Sequence, residues 1–288
     1  MHNVVMNIAI ISFRRWICSS KTLLGVLIIA IFSFFTYSPL NEIVAFLGVK
    51  ASPWIYNFLL SFDRMLIVFL GIILILHSDT FVIDSFSLEL IIRAGRRKYI
   101  TGQIIFLLFS TLFVCVLFFL MSIIFVLPSI RWETGWGKVF YTIAESSGTI
   151  TAKTGISFPF LLTSKYLETL SPVKSTCFSL LFMWLNQIFM ASLVGVFRII
   201  TGRNTGIAIA GIFAFISAFS RNVGELIFGT MLHYVSPATW ASPLYLNWYG
   251  MINEPTPLYA GCVLTGFSIL MLIVSWTKFE KGDIQINE

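Results

Sequence analysis

Long apolar runs constrain this chain more than any other feature. Residues of about 22–40, 54–76, 104–127, 173–200, 205–226 and 258–276 are dominated by Leu, Ile, Val, Phe and Ala. At ~1.5 Å per residue, each run as a helix reaches across about 30 Å of hydrocarbon. Inside a bilayer every backbone N–H and C=O must find its partner within the protein, so such runs fold as helices. The expectation is an all-α integral membrane protein with six transmembrane helices. Only 11% of the residues are charged, where a soluble domain carries about a quarter. No tract of the 288 residues is polar enough for a separate nucleotide-binding or catalytic domain, so residues 1–288 read as one transmembrane domain.

The segments between the runs are not ordinary linkers. Residues 1–21 place Val4, Ile8, Ile11 and Arg15 at helical spacing, which predicts an interfacial helix along the membrane surface. Residues 129–171, with Trp132 and Trp136 as interfacial anchors, predict an external hairpin of short surface helices. Residues 229–257 carry His233, Pro237, Trp240, Pro243, Trp248, Pro255 and Pro257. That density of proline and interfacial aromatics predicts re-entrant or surface helices on the outer side. Arg14, Arg15, Lys21, the Arg93 to Lys98 cluster, Arg198, Arg203, Lys278 and Lys281 gather at alternate turns. This bias predicts a multi-pass protein of the cell membrane with both termini cytoplasmic.

The stretch between the second and third runs concentrates charge that the runs exclude. Asp79, Asp84 and Glu89 come first, then Arg93, Arg96, Arg97 and Lys98, with Phe81, Val82, Phe86, Leu88, Ile91 and Ile92 between them. An acidic start and a basic end suit the macrodipole of an amphipathic helix, which Gly95 then ends. Residues 79–99 are therefore read as a cytoplasmic coupling segment that a soluble partner could push on. The basic residues alone would also serve as an ordinary topology signal.

Polar groups within the runs are the candidate pathway residues: Asp63, Arg64, Asn186, Gln187, Arg221, Asn222 and Glu225. For Arg64 the alternative is snorkelling to the surface, and for Asn186 and Gln187 it is bridging between helices. Gly206, Ala210, Ala214 and Ala218 recur every four residues. A ladder of small side chains lets a second backbone approach, either within the chain or across a subunit interface.

Several chemistries have no residues to carry them. The net charge of +6 comes from scattered Lys and Arg, with no basic stripe for nucleic acid. Cys18, Cys115, Cys177 and Cys262 are far apart and lie in or beside apolar runs. His2, His77 and His233 form no HExxH pattern, and neither a P-loop nor a GxSxG elbow is present. No catalytic, cofactor-binding or metal residue is assigned.

An acid leaving one span, a small hydroxyl residue, then Gly-Arg and an aromatic entering the next span resembles the permease subunits of ABC-2-type transporters. The matching residues here are Asp84, Ser85, Gly95, Arg96, Tyr99 and Gly102, with Arg93-Ala94 where many members have Pro and Gln103 where many have Lys. The resemblance implies two permease protomers, identical or related, each resting on a cytoplasmic ABC ATPase subunit that binds ATP and Mg. Asp84, Phe86, Glu89, Ile91, Arg93, Arg96 and Arg97 would then dock that ATPase. The chain itself would be no enzyme and would export a hydrophobic or peptide substrate, such as an antibiotic peptide. The alternatives are a non-transporting immunity or scaffold protein of the membrane, and a membrane-embedded enzyme.

Overall fold

The computed structural model describes residues 2–61, 63–156, 162–201, 205–220, 224–248 and 254–281, without the side chains of residues 2, 3, 63 and 64. Eleven α-helices follow in chain order among the described residues: α1 (His2–Ile17), α2 (Ser20–Leu47), α3 (Asp63–Leu76), α4 (Ser85–Ala94), α5 (Arg96–Val126), α6 (Gly137–Thr154), α7 (Ser164–Thr169), α8 (Pro172–Thr201), α9 (Thr205–Phe219), α10 (Glu225–Phe228) and α11 (Pro257–Lys281). The only β pairing among them is one isolated bridge between Ala51 and Ile130. The fold is all-α, as the apolar runs require.

Among the described residues four helices are long and apolar enough to cross a membrane: Ser20–Leu47, Arg96–Ser129, Pro172–Thr201 and Pro257–Lys281. The lipid-type surface is plain on α2, where Leu23, Leu24, Leu27, Ile31, Phe34 and Phe35 all lie exposed. At the centre is α8, which packs against α3, α5, α9 and α11. Its polar residues are therefore buried by protein, including Ser175, Ser179, Asn186, Gln187 and Ser192.

The expected span 54–76 is not one full-length helix. Residues 54–76 divide into a 3-10 helix, Trp54–Phe58, and α3 of 14 residues. Ile55, Tyr56, Asn57, Phe58, Leu59 and Leu60 are nearly inaccessible, so their apolar character reflects burial within the bundle rather than contact with lipid. Irregular backbone at such depth is tolerated when protein encloses it. In the expected span 205–226 the described residues form α9 of 15 residues, π-helical turns at Ser220 and Gly224, and α10 from Glu225, with 221–223 outside the described residues.

The segment 129–171 contains α6 and α7. Trp132 is exposed, but Trp136 is buried and donates from Nε1 to the Leu170 carbonyl at 2.8 Å. Trp136 is a core residue of the hairpin, not an interfacial anchor. At the opposite end α1 lies against α5. The two approach closely because Gly102 has no side chain; a Cβ there would sit 2.7 Å from Ile8 Cγ2. On its outer side α1 exposes Val4, Met6, Ile10 and Ile11.

Candidate functional site: a clamped surface helix

Between α3 and α4 the chain makes a compact turn. Thr80 donates from Oγ1 to the His77 carbonyl at 2.7 Å, and Phe81 adopts a left-handed φ of 58°. That conformation is unusual for a bulky residue and costs about 1–3 kcal/mol unless its surroundings enforce it. Here they do, because the Phe81 ring lies on Gly195 of α8, where a Cβ would meet it at 2.4 Å. The seat for Phe81 was not legible in the sequence, since Gly195 sits in an apolar run more than a hundred residues away.

Asp84 then starts α4 as its N-cap, accepting from the Ser87 backbone N–H at 2.9 Å. The same carboxylate pairs with Arg15 of α1, whose guanidinium also sits 5.0 Å from the Phe86 ring centroid. The hydrogen bond from Arg15 holds the Asp84 carboxyl well below the usual carboxylate range, with further help from Ser87. Lys21 pairs with Asp79 at 2.6 Å, and Trp16 donates from Nε1 to the Leu76 carbonyl at 3.0 Å. Gln103 of α5 donates to Ser12 of α1 at 2.8 Å. Through these contacts α1 and the start of α2 hold the turn and α4 at their leading side.

Beyond Gly95 the start of α5 is tied to α11. Arg97 donates from Nε to the Glu280 carboxylate at 2.6 Å, and Arg96 reaches the Glu280 carbonyl at 3.4 Å. Gly95, at φ 85°, makes the bend between α4 and α5 that aims these two arginines back at α11. Arg96 and Arg97 stand at the start of α5, and the Arg97 side chain pairs with Glu280 while remaining largely exposed.

Ile91 also points inward. It is buried in a cluster with Ile8, Phe81, Ile83, Tyr99, Ile100 and Phe279, and so is unavailable to a docking partner. The next residue, Ile92, is 76% exposed, and Phe86 is 40% exposed. Glu89 and Arg93 pair across one turn on the same accessible side. One position on a helix is a rotation of about 100°, enough to exchange a core residue for a surface one.

Behind α4 a pocket of about 240 Å³ is lined by Arg15, His77, Asp79, Asp84, Tyr99 and Gln103, among others. His77 is buried beneath Trp16, their rings stacked at 6.2 Å. Burial pushes its imidazole down to about 4.

The remaining candidate residues are scattered. Asn186 donates to the Pro237 carbonyl at 2.8 Å and Gln187 to Cys115 Sγ at 3.0 Å, both fully buried between elements. Asp63 and Arg64 open α3, but their side chains lie outside the described part, as do residues Arg221 and Asn222 entirely. Glu225 is half-exposed, with its Oε2 3.6 Å from His233 Nε2. Of the small-residue ladder, Gly206 and Ala210 are buried, whereas Ala214 and Ala218 are only partly so and Ser217 is buried instead. Four residues turn a helix by about 400°, so a strict four-residue ladder drifts about 40° per step away from a straight neighbour. A Cβ on Gly206 would lie 2.2 Å from the Val194 carbonyl oxygen, so the close approach is to α8 within the same chain.

Sequence reasoning missed a buried polar knot at the far end of α8. Asn57 Oδ1 accepts from Ser175 and Ser179, each at 2.9 Å, while Nδ2 donates to Thr176 Oγ1 and the Trp54 carbonyl at 2.9 Å. A lone Asn among apolar residues was the available signal. Among the described residues no group of three or more His, Cys, Asp or Glu is placed to hold a metal ion. No protein-family model, curated protein or solved structure matches the chain.

Proposed function

We propose that this chain is the membrane-embedded permease subunit of an ABC-2-type exporter, with α4 as the surface on which a separate ATPase acts. One observation carries the reading: α4 is an amphipathic helix tied to α1 through Asp84 and Arg15 and seated by Ile91 in a cluster with Ile8, Tyr99 and Phe279, while presenting Phe86 and Ile92 outward. A helix anchored through α1, α5 and α11 passes a push on its face to three helices at once. A loop held only at its ends would absorb that push. The exposed apolar pair flanked by Glu89 and Arg93 has the make-up of an interface, with apolar anchors for affinity and rim charges for orientation.

In this reading the end bearing α1 and α4 is cytoplasmic. Arg14, Arg15, Lys21, Arg93, Arg96, Arg97, Lys98, Arg198, Lys278 and Lys281 all belong to that end, which agrees with the positive-inside rule. ATP and Mg would be bound by the partner, a second protomer would complete the path, and the substrate would be hydrophobic or peptidic.

The test is purification from native membranes, with the bound partner identified and its ATPase activity measured. Phe86→Asp and Ile92→Asp should each weaken ATPase retention by more than about tenfold, the size of an interface anchor loss, while monodispersity stays unchanged. Wild-type retention in both variants would remove the docking role of α4. Recovery of a stoichiometric membrane or secreted partner with no ATPase would favour the scaffold alternative.

A further inference from the structure

At the end of the bundle opposite α4, His233 is buried between two carboxylates from different segments. Its Nε2 lies 3.6 Å from Glu225 Oε2 of α10, and its Nδ1 lies 3.4 Å from Glu254 Oε1, three residues before α11. The His233 side chain is only 2% exposed, and neither nitrogen has a hydrogen-bond partner among the described residues. Both nitrogens thus face an acid at ion-pair distance with no bond yet made.

The surroundings make this contact consequential. The four residues of α10 bury no side chain, and Leu226, Ile227, Phe228, Met231 and Val235 are all strongly exposed. By contrast, the ground beneath His233 is fixed. Its carbonyl accepts from Trp240 Nε1 at 2.9 Å, and Trp240 is fully buried. The nearby phenols are engaged with the main chain: Tyr234 donates to the Glu254 carbonyl at 3.3 Å and Tyr259 to the Tyr234 carbonyl at 3.1 Å. The charged groups that face the imidazole among the described residues are Glu225 and Glu254.

We propose that Glu225, His233 and Glu254 form a proton-operated latch that ties residues 225–235 to the start of the α11 segment at Glu254. A neutral imidazole carries one N–H and can donate to one of the two carboxylates. The imidazolium carries two, so one proton lets it tie α10 and the approach to α11 at the same time. Uptake of that proton forms N–H···O bonds to both acids and breaks no covalent bond. The sign follows: the latch is closed at acid pH and released as pH rises, because the charged form is the one the carboxylates hold. His77, buried without an acid at the other end of the molecule, responds in the opposite direction, so only a local readout distinguishes them. The latch does not depend on the permease reading.

The experiment is hydrogen–deuterium exchange by mass spectrometry on the full chain in phosphatidylcholine nanodiscs, at about pH 5.5 and about pH 7.5. After correction for intrinsic exchange rates, residues 225–248 should exchange on the order of tenfold more slowly at the acid pH, the effect of one charge-assisted hydrogen bond. His233→Gln should abolish the difference, and Glu254→Gln should reduce it. Should His233→Gln not fold, Glu225→Gln at the half-exposed acid makes the same test. Equal protection of the wild type at both pH values overturns the latch, as does an undiminished pH difference in the neutral variants.

Discussion

Replacing Gly206 with Ala tests the contact between α8 and α9 with the smallest possible change. The added Cβ would lie 2.2 Å from the Val194 oxygen and 2.9 Å from both its carbonyl carbon and its Cα. A carbon and a carbonyl oxygen are comfortable at about 3.3 Å or more, so the helices must separate by about 1 Å. The obstacle is main chain in the middle of α8, which cannot rotate away as a side-chain end would. Overpacking of this kind costs about 1–3 kcal/mol, and the upper part of that range applies to a backbone clash. Removing a helical glycine returns about 0.5–1 kcal/mol, leaving a net loss of about 2 kcal/mol. For a chain of this size that lowers the melting temperature by about 4–8 °C. Gly211→Ala, on the same helix with nothing within 4 Å of its Cβ, is the matched control and should be neutral or stabilising by up to about 1 kcal/mol. Thermal unfolding of both variants in the same detergent measures the difference. A Gly206→Ala protein that melts with the wild type would refute the close approach.

Asn57→Leu breaks three bonds to α8 and strands the Ser179 hydroxyl in a buried site, while Ser175 keeps Tyr166; at about 0.6 kcal/mol per interhelical bond in a membrane protein, plus the stranded donor, the loss should be about 2–4 kcal/mol. A double-mutant cycle with Ser179→Ala checks it, and full additivity would count against a shared knot. Ile91→Asp should lower the melting temperature of the isolated chain by burying an unpaired charge in the cluster around Tyr99, while Ile92→Asp leaves it unchanged; equal melting of the two would contradict the inward seat of Ile91. The folded state keeps His77 neutral down to about 4, below the ordinary imidazole value of about 6.5, so its contribution is intact above that value and declines as pH falls between the two. Urea unfolding should show up to about 3 kcal/mol lost across that window, and His77→Gln should flatten the curve.

The sequence determined the class of fold and the places where it is punctuated. Backbone that must satisfy itself in hydrocarbon has few solutions, so the runs that became α2, α5, α8 and α11 were legible from composition alone. Asp84 as a cap and Gly95 as a break are local chemistry, and α4 runs between them as their positions require. What composition could not separate is apolar because of lipid from apolar because of protein. Residues 54–61 are as hydrophobic as a span, yet they fill the interior of the bundle. Tertiary structure alone decided which neighbour each charge meets. Arg15 finds Asp84 across 69 residues, Arg97 finds Glu280 across 183, and His233 lies between two acids that the chain places 29 residues apart. Periodicity sets the face of a helix only relative to a partner, and the partner's position belongs to the packing of the whole chain. For that reason Ile91 and Ile92, alike in sequence, exchange roles only once α5 and α11 are in place.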